Sequence, residues 1–437
     1  MFWLKHMSRI KPKDAIENCK ESIKCTHFNW IEIAAYILKW IPFSAICGII
    51  VGLIASLFDY FVLLINTTIP NKPLFVATFA VLVAMITGLY IKNDATIAGP
   101  GINYVLNHME KPVSFKSLIK KFIISVLALS GVFTAGREGP SFFIGSSISL
   151  YLSKTIKLKE GYSRKIALIG AGAFTSALLK APLGGAIFAL EIAYVSDMEY
   201  ESFPQVLIAS VFSYLVFSFL RGKHSLMNLS GVSTAWSIHS IPMLMLLGLV
   251  IALATYIFIS SFHFANCISS FIAPVFRPIV GVILALPLLV ILLSHDKLDL
   301  LNASVNYQAL TNISVIHLSI YQSLKYLLLM MSIIPLTIGF GISGGLILPS
   351  LIMGAILGNL FGGLFNENIV LFSLSGMAAF LAATAKTPLA AIVLVLEISQ
   401  TDLIIPLTAS VIVSYIFSYG VNAYTSQQEC KLNLPIQ

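Results

Sequence analysis

Apolar runs such as Leu74 to Ile91 and Ile241 to Ile259 carry no charged residue, and they limit what this chain can fold into more than any other feature. About 20 residues of helix cross a hydrocarbon core of roughly 30 Å, so both runs are long enough to span a bilayer. A third run, Ile279 to Leu293, is a little short and is expected to tilt or to be partly embedded. Inside lipid every backbone N–H and C=O must find a partner within the protein, which leaves helices or a closed barrel. The runs are continuous rather than alternating, and that decides for helices. Composition agrees: 57% of the residues are hydrophobic and 11% are charged, whereas soluble domains carry about 25% charged residues. The sequence therefore predicts an all-α, multi-pass integral membrane protein.

The formal charge of +8 does not mark a nucleic-acid binder, because the basic residues are not gathered into a soluble patch. Lys5, Arg9, Lys11, Lys13, Lys20 and Lys24 precede the first apolar segment, and Lys154, Lys157, Lys159, Arg164 and Lys165 share one short connection. Positive residues favour the cytoplasmic side, so residues 1–29 read as a cytoplasmic basic segment of a plasma (inner) membrane protein. The first apolar run begins near Trp30, too far in and too long for a cleaved signal peptide. Cys19, Cys25, Cys47, Cys267 and Cys430 show neither CxxC nor a metal-ligand spacing, so no metal or cofactor is expected. The histidines are scattered, and neither HExxH nor a P-loop is present, which argues against an enzyme.

The chain repeats itself. Gly170 to Ile192 reads GAGAFTSALLKAPLGGAIFALEI, and Gly376 to Ile398 reads GMAAFLAATAKTPLAAIVLVLEI, at a constant offset of 206 residues. Lys180 pairs with Lys386, Pro182 with Pro388 and Glu191 with Glu397, and each segment is followed by another apolar run. Residues 30–425 are therefore expected to hold two duplicated halves, about 30–222 and 240–425, with a short tail of 426–437 and no regulatory domain. The polar stretch His295 to Asn312 reads as the place where the halves meet. Duplicated halves in transporters often sit inverted, with broken helices meeting near mid-bilayer, and inversion is the expectation here.

Three Gly/Pro-rich interruptions break the apolar surroundings: AGPGIN (Ala98 to Asn103), GREGP (Gly136 to Pro140) and GISGGLILP (Gly341 to Pro349). Glycine lets backbone approach a ligand and proline suits the first helical position, so each reads as a helix beginning. A helix that begins inside a membrane exposes up to four N–H donors and a partial positive charge. Several such ends aimed at one point replace the hydration shell of an anion without the full charge that would hold it too tightly to conduct. The alternative is packing glycines and kinks, which are common in membrane helices. Glu138, an ionisable group in an apolar span, is functional by default.

With these residues in view, the chain resembles the CLC family of chloride channels and chloride/proton exchangers from about Trp30 to Tyr424. GREGP is a signature of that family, AGPGIN is similar to its GSGIP element, and GGLILP is similar to its GxFxP element. The separation of Gly139 and Gly345, again 206 residues, accords with the duplication. The resemblance implies broken helices around a central anion site, with chloride as transported ligand, in a homodimer with one pathway per subunit. It implies that Glu138 is the gating glutamate on the extracellular side, competing with the anion for one site. It also implies anion contacts from Gly99, Pro100, Gly101, Gly136, Arg137, Gly139, Leu346 and Ile347, the last two through N–H groups. Arg137 and Lys121 either raise the local potential or form structural ion pairs. Tyr424 matches the family tyrosine whose hydroxyl donates to the anion, with Tyr419 as its rival.

Three residues depart from the pattern. Ile192 stands where proton-coupled members carry an internal glutamate, and Glu191 beside it, having a partner in Glu397, reads more simply as structural. Pro100 replaces the serine of chloride-selective members, which leans selectivity toward nitrate. Ile347 replaces the phenylalanine of GxFxP and should matter little, whereas Pro140 keeps the family form and weighs against the fluoride-exporting branch. Ile192 favours a passive, channel-like pathway gated by Glu138. The alternative is a chloride/proton exchanger using Glu138 with water, and an organic-solute carrier is a remote third.

Overall fold

The computed structural model describes residues 30–69, 72–158, 160–223, 225–229, 231–294, 298 and 300–430. Lys5, Arg9, Lys11, Lys13, Lys20, Lys24, Cys19, Cys25, Lys159 and His295 lie outside the described residues, as does the tail from 431. The chain divides into two units, Met1–Phe43 and Ser44–Gln437, and the site considered below belongs wholly to the second.

The apolar runs form helices. The first half holds α1 (Trp30–Thr68), α2 (Pro73–Asn93), a short α3 (Ile102–Asn107), α4 (Phe115–Ala128), α5 (Glu138–Thr155), α6 (Ser163–Leu179), α7 (Pro182–Glu191) and α8 (Phe203–Arg221). The second holds α9 (Ser240–Ser270), α10 (Arg277–Ser294), the short pair α11 (Ala303–Asn306) and α12 (Gln308–Val315), and α13 (Ile320–Thr337). It closes with α14 (Ile347–Leu364), α15 (Ile369–Ala385), α16 (Pro388–Ser399) and α17 (Ile404–Phe417). Among the described residues the only β pairings are two isolated bridges. Among the described residues six helical segments are long and apolar enough to cross a membrane. By order of elements the second half opens at α9. The stretch His295 to Asn312 therefore falls inside that half, where AGPGIN falls in the first, and does not join the halves.

Helices α7 and α16 have 10 and 12 residues, so at 1.5 Å per residue they reach only about 15–18 Å. Their ends must be satisfied within the protein, and each is capped by the other. Glu191, the last residue of α7, accepts from the Leu389 and Ala390 N–H groups at 3.2 and 2.8 Å. Glu397, near the end of α16, accepts from Leu183 and Gly184 at 3.1 and 2.7 Å. The carboxylates thus sit on the positive ends of the partner helices. Reciprocal caps of this kind require α7 and α16 to run antiparallel. A two-fold that exchanges them lies across the helix direction, which is the inverted arrangement.

The halves also agree where α6 and α15 end. Lys180 and Lys386 both take left-handed backbone, φ 49° and 57°, ahead of Pro182 and Pro388. Each amine reaches the end of its half's last helix: Lys180 Nζ donates to Gly222 O at 3.0 Å, and Lys386 Nζ to Ser418 Oγ at 2.7 Å.

The repeat is not uniform in register. A Cβ added at Gly145 would meet Gly170 O at 2.2 Å and Phe174 Cβ at 2.8 Å; one at Gly354 would meet Gly376 O and Phe380 Cβ at the same two distances. Gly145 therefore corresponds to Gly354, an offset of 209, while Gly170 corresponds to Gly376 at 206. The connection between α14 and α15 is three residues shorter than that between α5 and α6. This corrects the pairing of Gly139 with Gly345: the structural counterpart of Gly345 is Gly136, and that of Glu138 is Ile347.

Candidate functional site

Gly136 and Gly345, equivalent residues of the two halves, bond to each other. The Gly136 N–H donates to Gly345 O at 2.9 Å, and the Gly345 N–H donates to Gly136 O at 2.6 Å. This reciprocal bridge sits where the two-fold must pass, and it holds the N-termini of α5 and α14 together. Arg137 is the N-cap of α5 and Leu346 that of α14, and neither end is capped by a side chain. Among the described residues, no close hydrogen bond to the N–H groups of Gly139 or Ile347 is found, and the Leu346 N–H faces the Tyr424 hydroxyl.

Glu138 fills this place. Its side chain is 1% exposed; neither carboxylate oxygen makes a close hydrogen bond, and the donors nearest to it are its own N–H, the Leu348 N–H and the Tyr307 hydroxyl. A Cβ at Gly136 would stand 1.9 Å from Glu138 Oε2, and one at Gly345 would stand 2.8 Å from it. Only glycine at both positions leaves room for the carboxylate beside the bridge. A buried carboxylate without close hydrogen bonds is costly, because burial removes its water and little replaces it.

The third motif closes on the other two. The Gly99 N–H donates to Gly341 O at 3.1 Å, and the Pro100 carbonyl lies 2.6 Å from where a Gly139 Cβ would stand. Gly101, at φ 83°, is the N-cap of α3, a helix of only six residues. The buried Lys121 amine holds this turn through Ile97 O at 2.9 Å and Gly99 O at 2.6 Å. Lys121 therefore meets carbonyls, and no ion pair to it is found among the described residues. Ser125 and Ser343 share a hydrogen bond of 2.8 Å between their hydroxyls.

Arg137 commits its guanidinium to partners other than the carboxylate. Nη1 pairs with Asp59 at 2.6 Å, Nε and Nη2 donate to the carbonyls of Ser304 and Val305, and Arg221 pairs with the same aspartate at 2.6 Å. The Arg137 side chain makes the ion pair, and its charge also acts on Glu138. Glu191 lies in its cap and away from the bridge.

Tyr424 is fully buried and its hydroxyl has no partner; the Leu346 N–H and Glu138 are its polar neighbours. Tyr419 is 67% exposed, so the structure places Tyr424, and not its rival, by the site. Tyr424 lines a cavity of about 290 Å³ with Gly99, Pro100, Gly101 and Gly341. A second cavity, of about 160 Å³, is lined by Asp59, Arg137, Lys180, Arg221 and Tyr307 and shares no residue with the first. Sequence reasoning missed Asp59, Arg221 and Tyr307. Asp59 had a legible signal, an acid within the apolar run LIASLFDYFVLL.

Comparison with known proteins agrees with this fold. Residues 79–419 match the model of the family described as voltage gated chloride channel. The chain is similar to an uncharacterized protein, MJ0305, of Methanocaldococcus jannaschii, 28% identical over 398 residues that make up 87% of this chain and 93% of that one. It is similar to the H(+)/Cl(-) exchange transporter ClcA of Yersinia pseudotuberculosis serotype IB (strain PB1/+), 27% identical over 394 residues, 83% of this chain and 81% of that one. In fold it is similar to a CLC-type fluoride/proton antiporter of solved structure, with a TM-score of 0.75 at 21% identity, covering 92% of this chain and 100% of that one.

Proposed function

Because the chain belongs to the voltage gated chloride channel family, the CLC family, we propose that it exchanges small inorganic anions for protons, with Glu138 both filling the anion site and carrying the proton. Its membership makes it an anion transport protein of the membrane. The observation that carries the finer reading is the Glu138 carboxylate, buried without a close hydrogen bond beside two helix N-termini that no side chain caps. A carboxylate is itself an anion, so it occupies the place an anion takes. Protonation removes its charge, the neutral acid leaves, and an anion enters in its stead.

In this account the N–H groups at Gly139, Leu346 and Ile347 replace anion hydration, and the Tyr424 hydroxyl donates without adding charge. Arg137 contributes its backbone and, through Asp59, the fixed start of α5. Pro100 offers no donor where a serine would, which leans the site toward nitrate. Glu138 faces the extracellular side and the chain works as a homodimer, one pathway per subunit.

Exchange is favoured over passive flow by the relative described as a proton/chloride exchange transporter. Passive, channel-like flow is the second reading, and Ile192 favours it: the residue is wholly buried and cannot hold a proton, while Glu191 is committed to its cap. Exchange here relies on water reaching Glu138 from the Tyr424 side. Purified protein in liposomes under a chloride gradient, with the pH of the medium recorded, decides between them. Protons moving uphill as chloride runs down support exchange; chloride flux with no coupled proton movement supports the channel-like reading.

A further inference from the structure

Tyr307 has no part in the scheme above, yet it stands where the second half repeats the AGPGIN turn. Gly101 takes left-handed backbone at φ 83° as N-cap of α3, and Tyr307 does the same at φ 56° as N-cap of α12. Each precedes the short helix that follows its half's second long helix. Left-handed backbone suits glycine and strains a side chain of this size, so the surroundings must hold Tyr307 there. Arg137 does so: its guanidinium donates to the carbonyls of Ser304 and Val305 and stands 5.6 Å over the Tyr307 ring.

The hydroxyl that results is 1% exposed as part of its residue and makes no close hydrogen bond. It faces Glu138, and Tyr307 lines the 160 Å³ cavity, which has room for about five waters at 30 Å³ each. Three cations, Arg137, Lys180 and Arg221, line that cavity against one carboxylate, Asp59. Asp59 is shared between two arginines, and among the described residues no hydrogen bond engages the Nη atoms of Arg221. The cavity thus combines surplus positive charge with a residue whose neutral hydroxyl faces Glu138 and makes no close hydrogen bond.

We propose that this cavity is a second anion site, separate from the position the Glu138 carboxylate fills, in which Arg221 and Lys180 attract a small monovalent anion and the Tyr307 hydroxyl donates to it. This rests on the reading of the chain as an anion pathway gated by Glu138. Tyr307 is then the second half's counterpart to the turn at Gly99–Gly101, serving the opposite stage of the same passage.

Crystals of the full chain grown in bromide test the site directly by anomalous diffraction. A bromide peak within hydrogen-bonding distance of Tyr307 Oη is expected, and an empty cavity at saturating bromide overturns the proposal. In liposomes, Tyr307→Phe keeps the ring beneath Arg137 and removes only the donor. The chloride KM from the cavity's side should rise roughly tenfold, the scale of one hydrogen bond to a charged partner, with kcat little changed. Should that variant not fold, Arg221→Gln is expected to raise the same KM, and an unchanged KM in the folded variant overturns the proposal. Absence of chloride flux from folded wild type would instead sink the transport reading, while the bromide peak would still report on the cavity.

Discussion

Replacing Glu191 by alanine should destabilise the protein without touching its chemistry. The carboxylate satisfies two N–H groups at the start of α16, Leu389 at 3.2 Å and the buried Ala390 at 2.8 Å. Leaving a buried donor unsatisfied costs about 1–3 kcal/mol, and the partly buried Leu389 N–H adds the lower part of that range, for a total of about 2–4 kcal/mol. Unfolding entropy near 2.1 cal/mol/K per residue over 437 residues means that 1 kcal/mol moves the melting temperature by roughly 1 °C. Glu191→Ala is thus expected to lower Tm in detergent by roughly 2–4 °C. Glu397→Ala should cost less, because Leu183 is exposed and its N–H can turn to water or lipid headgroups. Glu191→Gln keeps one acceptor, should fall between wild type and alanine in Tm, and should transport normally. Thermal unfolding followed by tryptophan fluorescence, beside proton uptake in liposomes, checks both. An unshifted Tm together with lost proton movement in Glu191→Gln would refute the cap and make Glu191 a proton carrier.

Two other substitutions bear on the site. Tyr424→Phe removes an unpartnered buried hydroxyl, so anion binding measured by calorimetry should weaken roughly tenfold with Tm unchanged; Tyr419→Phe should leave binding as it was. Pro100→Ser adds a hydroxyl donor at the turn held by Lys121, and the ratio of chloride to nitrate flux should rise severalfold.

The sequence carried the helices plainly, because uncharged apolar runs admit little else in lipid, and it carried the three motifs because glycine and proline punctuate such runs sharply. It also revealed Glu138 as an acid with no soluble role. The exact register of the duplication was hidden by three residues missing between α14 and α15, so Gly345 paired with Gly139 on paper and pairs with Gly136 in space. Arg137 and Lys121 looked alike as buried cations, but one found Asp59 and the other found two carbonyls, choices fixed by packing across distant segments. Tyr307 left no local sign: nothing in SVNYQAL announces left-handed backbone, and the Arg137 guanidinium over its ring comes from a distant segment.

The account's central claim is that the Glu138 carboxylate occupies the anion site until a proton removes it. Chloride efflux from liposomes containing wild type or Glu138→Gln, measured across a pH series with protein shown to be folded, tests that most directly. Glutamine mimics the protonated acid, so the account predicts that chloride efflux persists in Glu138→Gln and loses both its dependence on pH and any coupled proton movement. Chloride efflux with the wild-type pH profile in Glu138→Gln would contradict it.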